Sequence, residues 1–145
     1  MTVFWLDGSL RSADEAVVSV LDHGLTVGDG VFETLLVRDG APFALTRHLA
    51  RLFRSAEGMG LESPAEHVIR RAVEEVVAAS GVDGGRARLR ITVTSGAGPL
   101  VSERGVEDPT LIVTLTPTKE WGPSTTLATV TWTRNERSAV AGVKT

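Results

Sequence analysis

Two spacings of apolar residues share this chain, one alternating with polar positions and the other recurring every three or four residues. Val3 to Leu6, the pair Asp7-Gly8 and then Ser9-Leu10-Arg11 predict a hairpin, because Asp-Gly accepts the positive φ angles of a tight turn. Val31 to Val37 is a β-rich run closed by a second turn signal, Asp39-Gly40, with Phe43 and Ala44 as its return strand. Leu49, Leu52, Phe53 and Ala56 then recur at helical spacing behind Thr46, a suitable N-cap. Ser63-Pro64-Ala65-Glu66 predicts a second helix opened by a capping box, with Ile69, Val73, Val76 and Val77 as its buried stripe and Gly81 as a left-handed stop. Next, Ala87, Leu89, Ile91 and Val93 alternate with Arg88, Arg90, Thr92 and Thr94, so one face packs and the other stays polar. The run Ser95-Gly96-Ala97-Gly98-Pro99 interrupts that strand. Thr110 to Leu115 is more uniformly apolar and predicts a more buried strand, and Thr126 to Trp132 alternates again.

Strands, then helices, then strands argue for an α+β fold rather than a doubly wound sheet. Pro117 to Ser124 has the proline, glycine and polar content of a boundary, so we place a division near residue 120. Residues 1–119 form a small N-terminal domain of mostly antiparallel sheet with two helices. Residues 120–145 form a linker and the first strand of a larger α/β domain that is truncated here. The strand Thr126 to Trp132 would carry an unpaired edge, so these 145 residues expressed alone are expected to aggregate or swap.

Composition narrows the chemistry. Net charge is −3 with both signs interspersed, and no basic stripe of a nucleic-acid binder is present. The absence of cysteine excludes disulfides, zinc-thiolate sites and thiol catalysis from the sequence given. No apolar run approaches a bilayer span and the first residues lack a secretory pattern, which reads most simply as a soluble cytoplasmic protein. His23, His48 and His67 show no metal-ligand spacing. Asp22-His23 lacks a serine elbow, and adjacent residues on a strand would point to opposite faces. Gly28-Asp29-Gly30 is too short for a dinucleotide loop and reads better as a turn feeding the next strand.

Two cations stand out. Arg51 lies opposite the apolar stripe of its helix and suits either a solvated arginine or a clamp for a phosphate ester. Lys144 follows Ala139-Val140-Ala141-Gly142-Val143. It is either a mobile solvated side chain or an amine whose apolar surroundings lower its pKa and make it nucleophilic.

Asp22-His23-Gly24, Val27-Gly28-Asp29-Gly30-Val31-Phe32-Glu33 and His48-Leu49-Ala50-Arg51-Leu52 resemble the small domain of class IV (fold type IV) pyridoxal-phosphate enzymes. Arg134-Asn135-Glu136 with Ala141-Gly142-Val143-Lys144-Thr145 resembles their lysine segment. The resemblance implies pyridoxal 5'-phosphate as cofactor, held by Lys144 as a Schiff base with Arg51 on its phosphate. It also implies a homodimer with active sites near the interface. Phe32 would line the substrate pocket, although core packing of an alternating strand explains it equally well. Ser95, Gly96 and Ala97 would contact substrate carboxylates, and Ser95 stands where D-amino acid aminotransferases carry an arginine. His48 would order the start of its helix. Within the family, Gly96-Ala97-Gly98-Pro99-Leu100 and the tail are most similar to proteins related to 4-amino-4-deoxychorismate lyase, which implies release of pyruvate and 4-aminobenzoate. Two alternatives stay open: a branched-chain or D-amino acid aminotransferase of the same family, and a catalytically inert fragment or binding module.

Overall fold

In the protein's structure, a computed structural model, residues 1–82, 84–118, 122–133 and 135–145 are described. Among these residues, six strands and three helices run in the order β1 (Val3–Leu6), β2 (Ser9–Arg11), α1 (His23–Thr26), β3 (Gly30–Arg38), β4 (Ala41–Pro42), α2 (Leu45–Gly58), α3 (Glu66–Ser80), β5 (Arg86–Thr94) and β6 (Leu111–Pro117). The strands make one antiparallel sheet in the order β2-β1-β6-β5-β3-β4. The α+β class is as the sequence order implies.

The alternating pattern decides which face is covered. Trp5, Val31, Leu35, Val37, Leu89, Ile91, Val93, Val113 and Leu115 all project to one side, where they pack with Leu49, Leu52 and Ala56 of α2 and Ile69, Val73 and Val76 of α3. Each such side chain contributes about 1.5–3 kcal/mol by leaving water. The other face carries Phe32, Arg88, Arg90, Thr92, Thr114 and Thr116, and none of the described helices packs on it. Both Asp-Gly pairs turn the chain at positive φ, 38° and 108° at Asp7-Gly8 and 51° and 72° at Asp39-Gly40. Gly81 ends α3 at φ 60°.

Several expectations need correction. The return strand after Asp39-Gly40 is Ala41–Pro42, because Ala44 turns left-handed (φ 53°) and becomes the cap of α2. Thr46 therefore lies inside the helix, and its hydroxyl accepts from Arg70 at 3.1 Å. The capping box at Ser63 does not form: α3 starts at Glu66, whose carboxylate turns forward to Arg70 at 2.7 Å instead of back to the cap. Asp22 and His23 sit at the start of a helical turn rather than on a strand. Thr126 to Trp132 is not a strand. Among the described residues no strand lies beside it to take up its backbone, and Leu127 and Trp132 are 89% and 85% exposed, so the unpaired edge expected there does not exist. The division near residue 120 falls at residues 119–121, outside the described residues.

Candidate active site

The strand β3 carries one residue that breaks its own pattern. Val31, Leu35 and Val37 face the core, and Glu33 stands among them with its side chain wholly buried. A lone carboxylate cannot stay ionised in such a place without compensation. Helix α2 supplies it. Arg51 donates to Glu33 through Nε at 2.5 Å and Nη2 at 2.6 Å, and His48, one turn earlier, places Nδ1 at 2.7 Å from Oε2.

Lys144 completes the cluster from the far end of the chain. Its backbone amide donates to Ser55 Oγ of α2 at 3.1 Å, and its carbonyl accepts from the Phe32 amide of β3 at 3.3 Å. Between these anchors the side chain reaches Glu33 Oε2 at 3.6 Å, donates to the Phe32 carbonyl at 3.0 Å and lies 3.9 Å from the Phe32 ring centroid. Arg90 of β5 stacks on the same ring at 3.8 Å. Partial burial is the main reason the Lys144 amine titrates below its ordinary 10.5. Glu33 opposes that shift, and the Arg51 and Arg90 charges add to it. Burial pulls the Glu33 carboxyl upward, but the bonds from Arg51 and His48 and the Lys144 charge outweigh it, leaving the group below its usual range.

Arg51, Lys144 and Phe32 are thus brought together. Ser95, Gly96 and Ala97 are brought elsewhere. Ser95 donates its amide to the Asp29 carbonyl at 3.2 Å, Gly96 accepts from the His23 amide at 2.9 Å, and Ala97 bridges Asp22. Gly96 sits at φ 79° and a Cβ there would strike the Asp108 carbonyl, so this loop is fixed by its backbone. None of the three bonds to Lys144. His48 does more than order the start of a helix, since it holds Glu33. Sequence reasoning also passed over Glu33 and Arg90. A glutamate on the apolar side of an alternating strand was the signal for the first. The second stands in a row of polar-face residues, and only the strand register singles it out, with Thr34 opposite Arg90 and Phe32 opposite Thr92.

The profile of the family described as amino-transferase class IV matches residues 30–145. The chain belongs to that family. It is 30% identical over 104 residues to the aminodeoxychorismate lyase of Bacillus subtilis, covering 71% of this chain and 34% of that one. It is 34% identical over 101 residues to the D-alanine aminotransferase of Bacillus licheniformis, covering 68% and 35%. A solved structure of a hypothetical aminotransferase from Mycobacterium tuberculosis, in its PLP-bound form, superposes with a TM-score of 0.69 at 31% identity, over 81% of this chain and 40% of that one. The chain therefore spans about a third of the length of the curated relatives it matches.

Pyridoxal phosphate is the cofactor of class IV enzymes, and the residues present fit it. An amine of lowered pKa suits an aldehyde. Arg51, 47% exposed despite its two bonds, lines a cleft of about 200 Å³ with Arg47, His48 and Ala44, a cationic setting suited to a phosphate ester. Among the described residues no helix is long and apolar enough to cross a membrane.

Proposed function

We propose that this chain carries the lysine and the phosphate-side arginine of a pyridoxal-phosphate-dependent lyase that converts 4-amino-4-deoxychorismate to 4-aminobenzoate and pyruvate. The observation that carries this reading is the meeting of Lys144 and Arg51, 93 positions apart in number, on the single carboxylate of Glu33. Arg51 holds the phosphate end and Lys144 the aldehyde end of the cofactor. Glu33 keeps the two cations from repelling one another and keeps Arg51 aimed. When bound, the cofactor's pyridine ring stores the electron pair released at the substrate carbon. Lys144 removes the ring proton there, a role that its lowered pKa permits, and a proton added to the departing enolpyruvyl group gives pyruvate as the ring becomes aromatic. Phe32 with Arg90 stacked on it offers an apolar wall and a cation beside that amine, which suits a substrate bearing a ring and a carboxylate.

Similarity to the Bacillus subtilis lyase favours elimination, and similarity to the D-alanine aminotransferase favours amino-group transfer at the same lysine. Ser95 in place of an arginine counts against transfer from D-amino acids and leaves a branched-chain aminotransferase as the second reading. We further propose a cytoplasmic homodimer, with residues 1–119 as the small domain and 120–145 as the start of the cofactor-binding one. The test uses the complete polypeptide. Adding the cofactor produces a visible absorbance that borohydride removes and that Lys144→Ala lacks, with activity lowered at least roughly a thousandfold. Incubation with aminodeoxychorismate then yields 4-aminobenzoate and pyruvate, whereas glutamate from an amino acid and 2-oxoglutarate establishes the aminotransferase instead.

A further inference from the structure

The seat of Lys144 lies between β3 and α2, two elements joined at only one end. The chain leaves β3 at Arg38, turns through β4 and returns along α2 from Leu45, so the pair is closed there. At the opposite end, Asp29 precedes β3 and Met59 follows α2, and no local turn links them. That open end is where the tail enters. Phe32 lies three residues from Asp29, Ser55 lies four before Met59, and a Cβ on Gly58 would meet Val143 at 3.1 Å.

Arg104, from the long connection between β5 and β6, spans this gap. It donates Nε and Nη2 to the two carboxylate oxygens of Asp29 at 2.6 and 2.9 Å, Nη2 to the Met59 carbonyl at 2.8 Å and Nη1 to the Gly60 carbonyl. Two of its acceptors lie just before β3 and two just after α2. The carbonyls that follow a helix end carry partial negative charge and lack partners of their own. A planar guanidinium can satisfy them and a carboxylate together, which an ammonium cannot. The Asp29 side chain is only 13% exposed, so this is not a loose surface pair.

Building on the role given to Lys144 above, we infer that Arg104 is a positioning residue: it staples the start of β3 to the end of α2 and so fixes the width of the slot that holds the lysine. Hydrogen exchange of the complete polypeptide without cofactor reads this directly. Two amides report on the slot, that of Phe32, bonded to the Lys144 carbonyl, and that of Lys144, bonded to Ser55. Arg104→Ala should speed both at least roughly tenfold relative to Val113 in β6, with Arg104→Lys in between. Arg38→Ala, which removes an exposed arginine at the closed end, should leave both unchanged.

If Arg104→Ala speeds only the amides of residues 98–105 and leaves Phe32 and Lys144 protected, the residue tethers its own loop and the inference is overturned. Should the alanine variant fail to fold, Arg104→Lys decides in its place: faster exchange at both amides supports the staple, and unchanged exchange rejects it. A protein that shows no borohydride-sensitive absorbance with pyridoxal phosphate would refute the functional reading, while the exchange comparison would still decide what Arg104 does.

Discussion

Two buried carboxylates, Glu33 on β3 and Asp22 at the cap of α1, are held in opposite ways. Glu33 is met by Arg51, His48 and Lys144. Asp22, 2% exposed, is met by the hydroxyls of Thr94 at 2.9 Å and Thr110 at 2.8 Å and by the Gly24 amide at 2.7 Å, with no cation among these partners. Hydroxyls and amides belong to the framework and hold Asp22 in one geometry, as a cap and a tie between α1, β5 and the start of β6. Long cationic side chains can leave their acceptor, and both of those on Glu33 touch water: Arg51 is 47% exposed and Lys144 30%. A carboxylate that gathers movable cations organises a site. A carboxylate that gathers fixed dipoles organises a fold.

The largest test of that distinction is removal of Glu33. Glu33→Ala leaves Arg51 and Lys144 crowded without their counter-charge. A fully buried pair broken in this way costs about 3–5 kcal/mol, and because Arg51 reaches water we expect about 2–3 kcal/mol, read from the denaturant midpoint of the complete protein. The pH dependence follows from the same contacts. The folded carboxyl titrates below its ordinary 4.5, so its contribution is fully present above that value and is lost as pH falls through the lower folded value. Glu33→Gln removes that acid-side slope. It also removes a partner that raises the Lys144 pKa, so labelling of the lysine by an amine-reactive reagent should shift its midpoint to lower pH. A midpoint that stays put or rises would show that Glu33 does not set the state of the amine.

Asp22 gives the matching and smaller effect. Asp22→Ala strands two hydroxyls and an amide, and because hydroxyls can rotate toward other acceptors we expect about 1–2 kcal/mol. The Lys144 labelling midpoint should not move. A shift comparable to that of the Glu33 variant would mean that the two carboxylates belong to one coupled network, and the contrast between them would fail.

Much of the fold is legible in the sequence because local patterns and tertiary structure agree. The alternation of β5, the two Asp-Gly turns and the stripes of α2 and α3 all appear where periodicity places them. Arg51, Lys144 and Phe32 are legible from motifs, and the structure gathers them. What escapes depends on partners far away in sequence. Thr126 to Trp132 alternates like a strand, but a strand needs a neighbour and none of the described strands lies beside it. Arg90 is indistinguishable from Arg88 until the register sets it by Phe32. Family resemblance implies substrate contacts for Ser95 to Ala97, and what the structure adds is the set of backbone bonds that seats their loop on Asp22, His23 and Asp29.

Ser63 extends the comparison to a polar group that gathers neither cations nor fixed dipoles. Its Oγ is buried and makes no hydrogen bond among the described residues, and the helix it was expected to cap begins at Glu66 behind Ala65. Were Ser63 the cap, Ser63→Ala would cost about 1 kcal/mol, the usual effect of a lost N-cap. With the bond absent, the substitution removes only a hydroxyl from the wall of a cleft shared with Trp5, Asp7 and Glu107, and the expected change lies within about 0.5 kcal/mol of zero. Thermal unfolding of Ser63→Ala beside Glu66→Ala separates the possibilities, because Glu66 is tied to Arg70 and not to the cap. Small and additive losses would fit two independent local effects. A larger loss at Ser63, shared non-additively with Glu66, would restore the capping box and make Ser63 a third kind of polar anchor, one that organises a helix end.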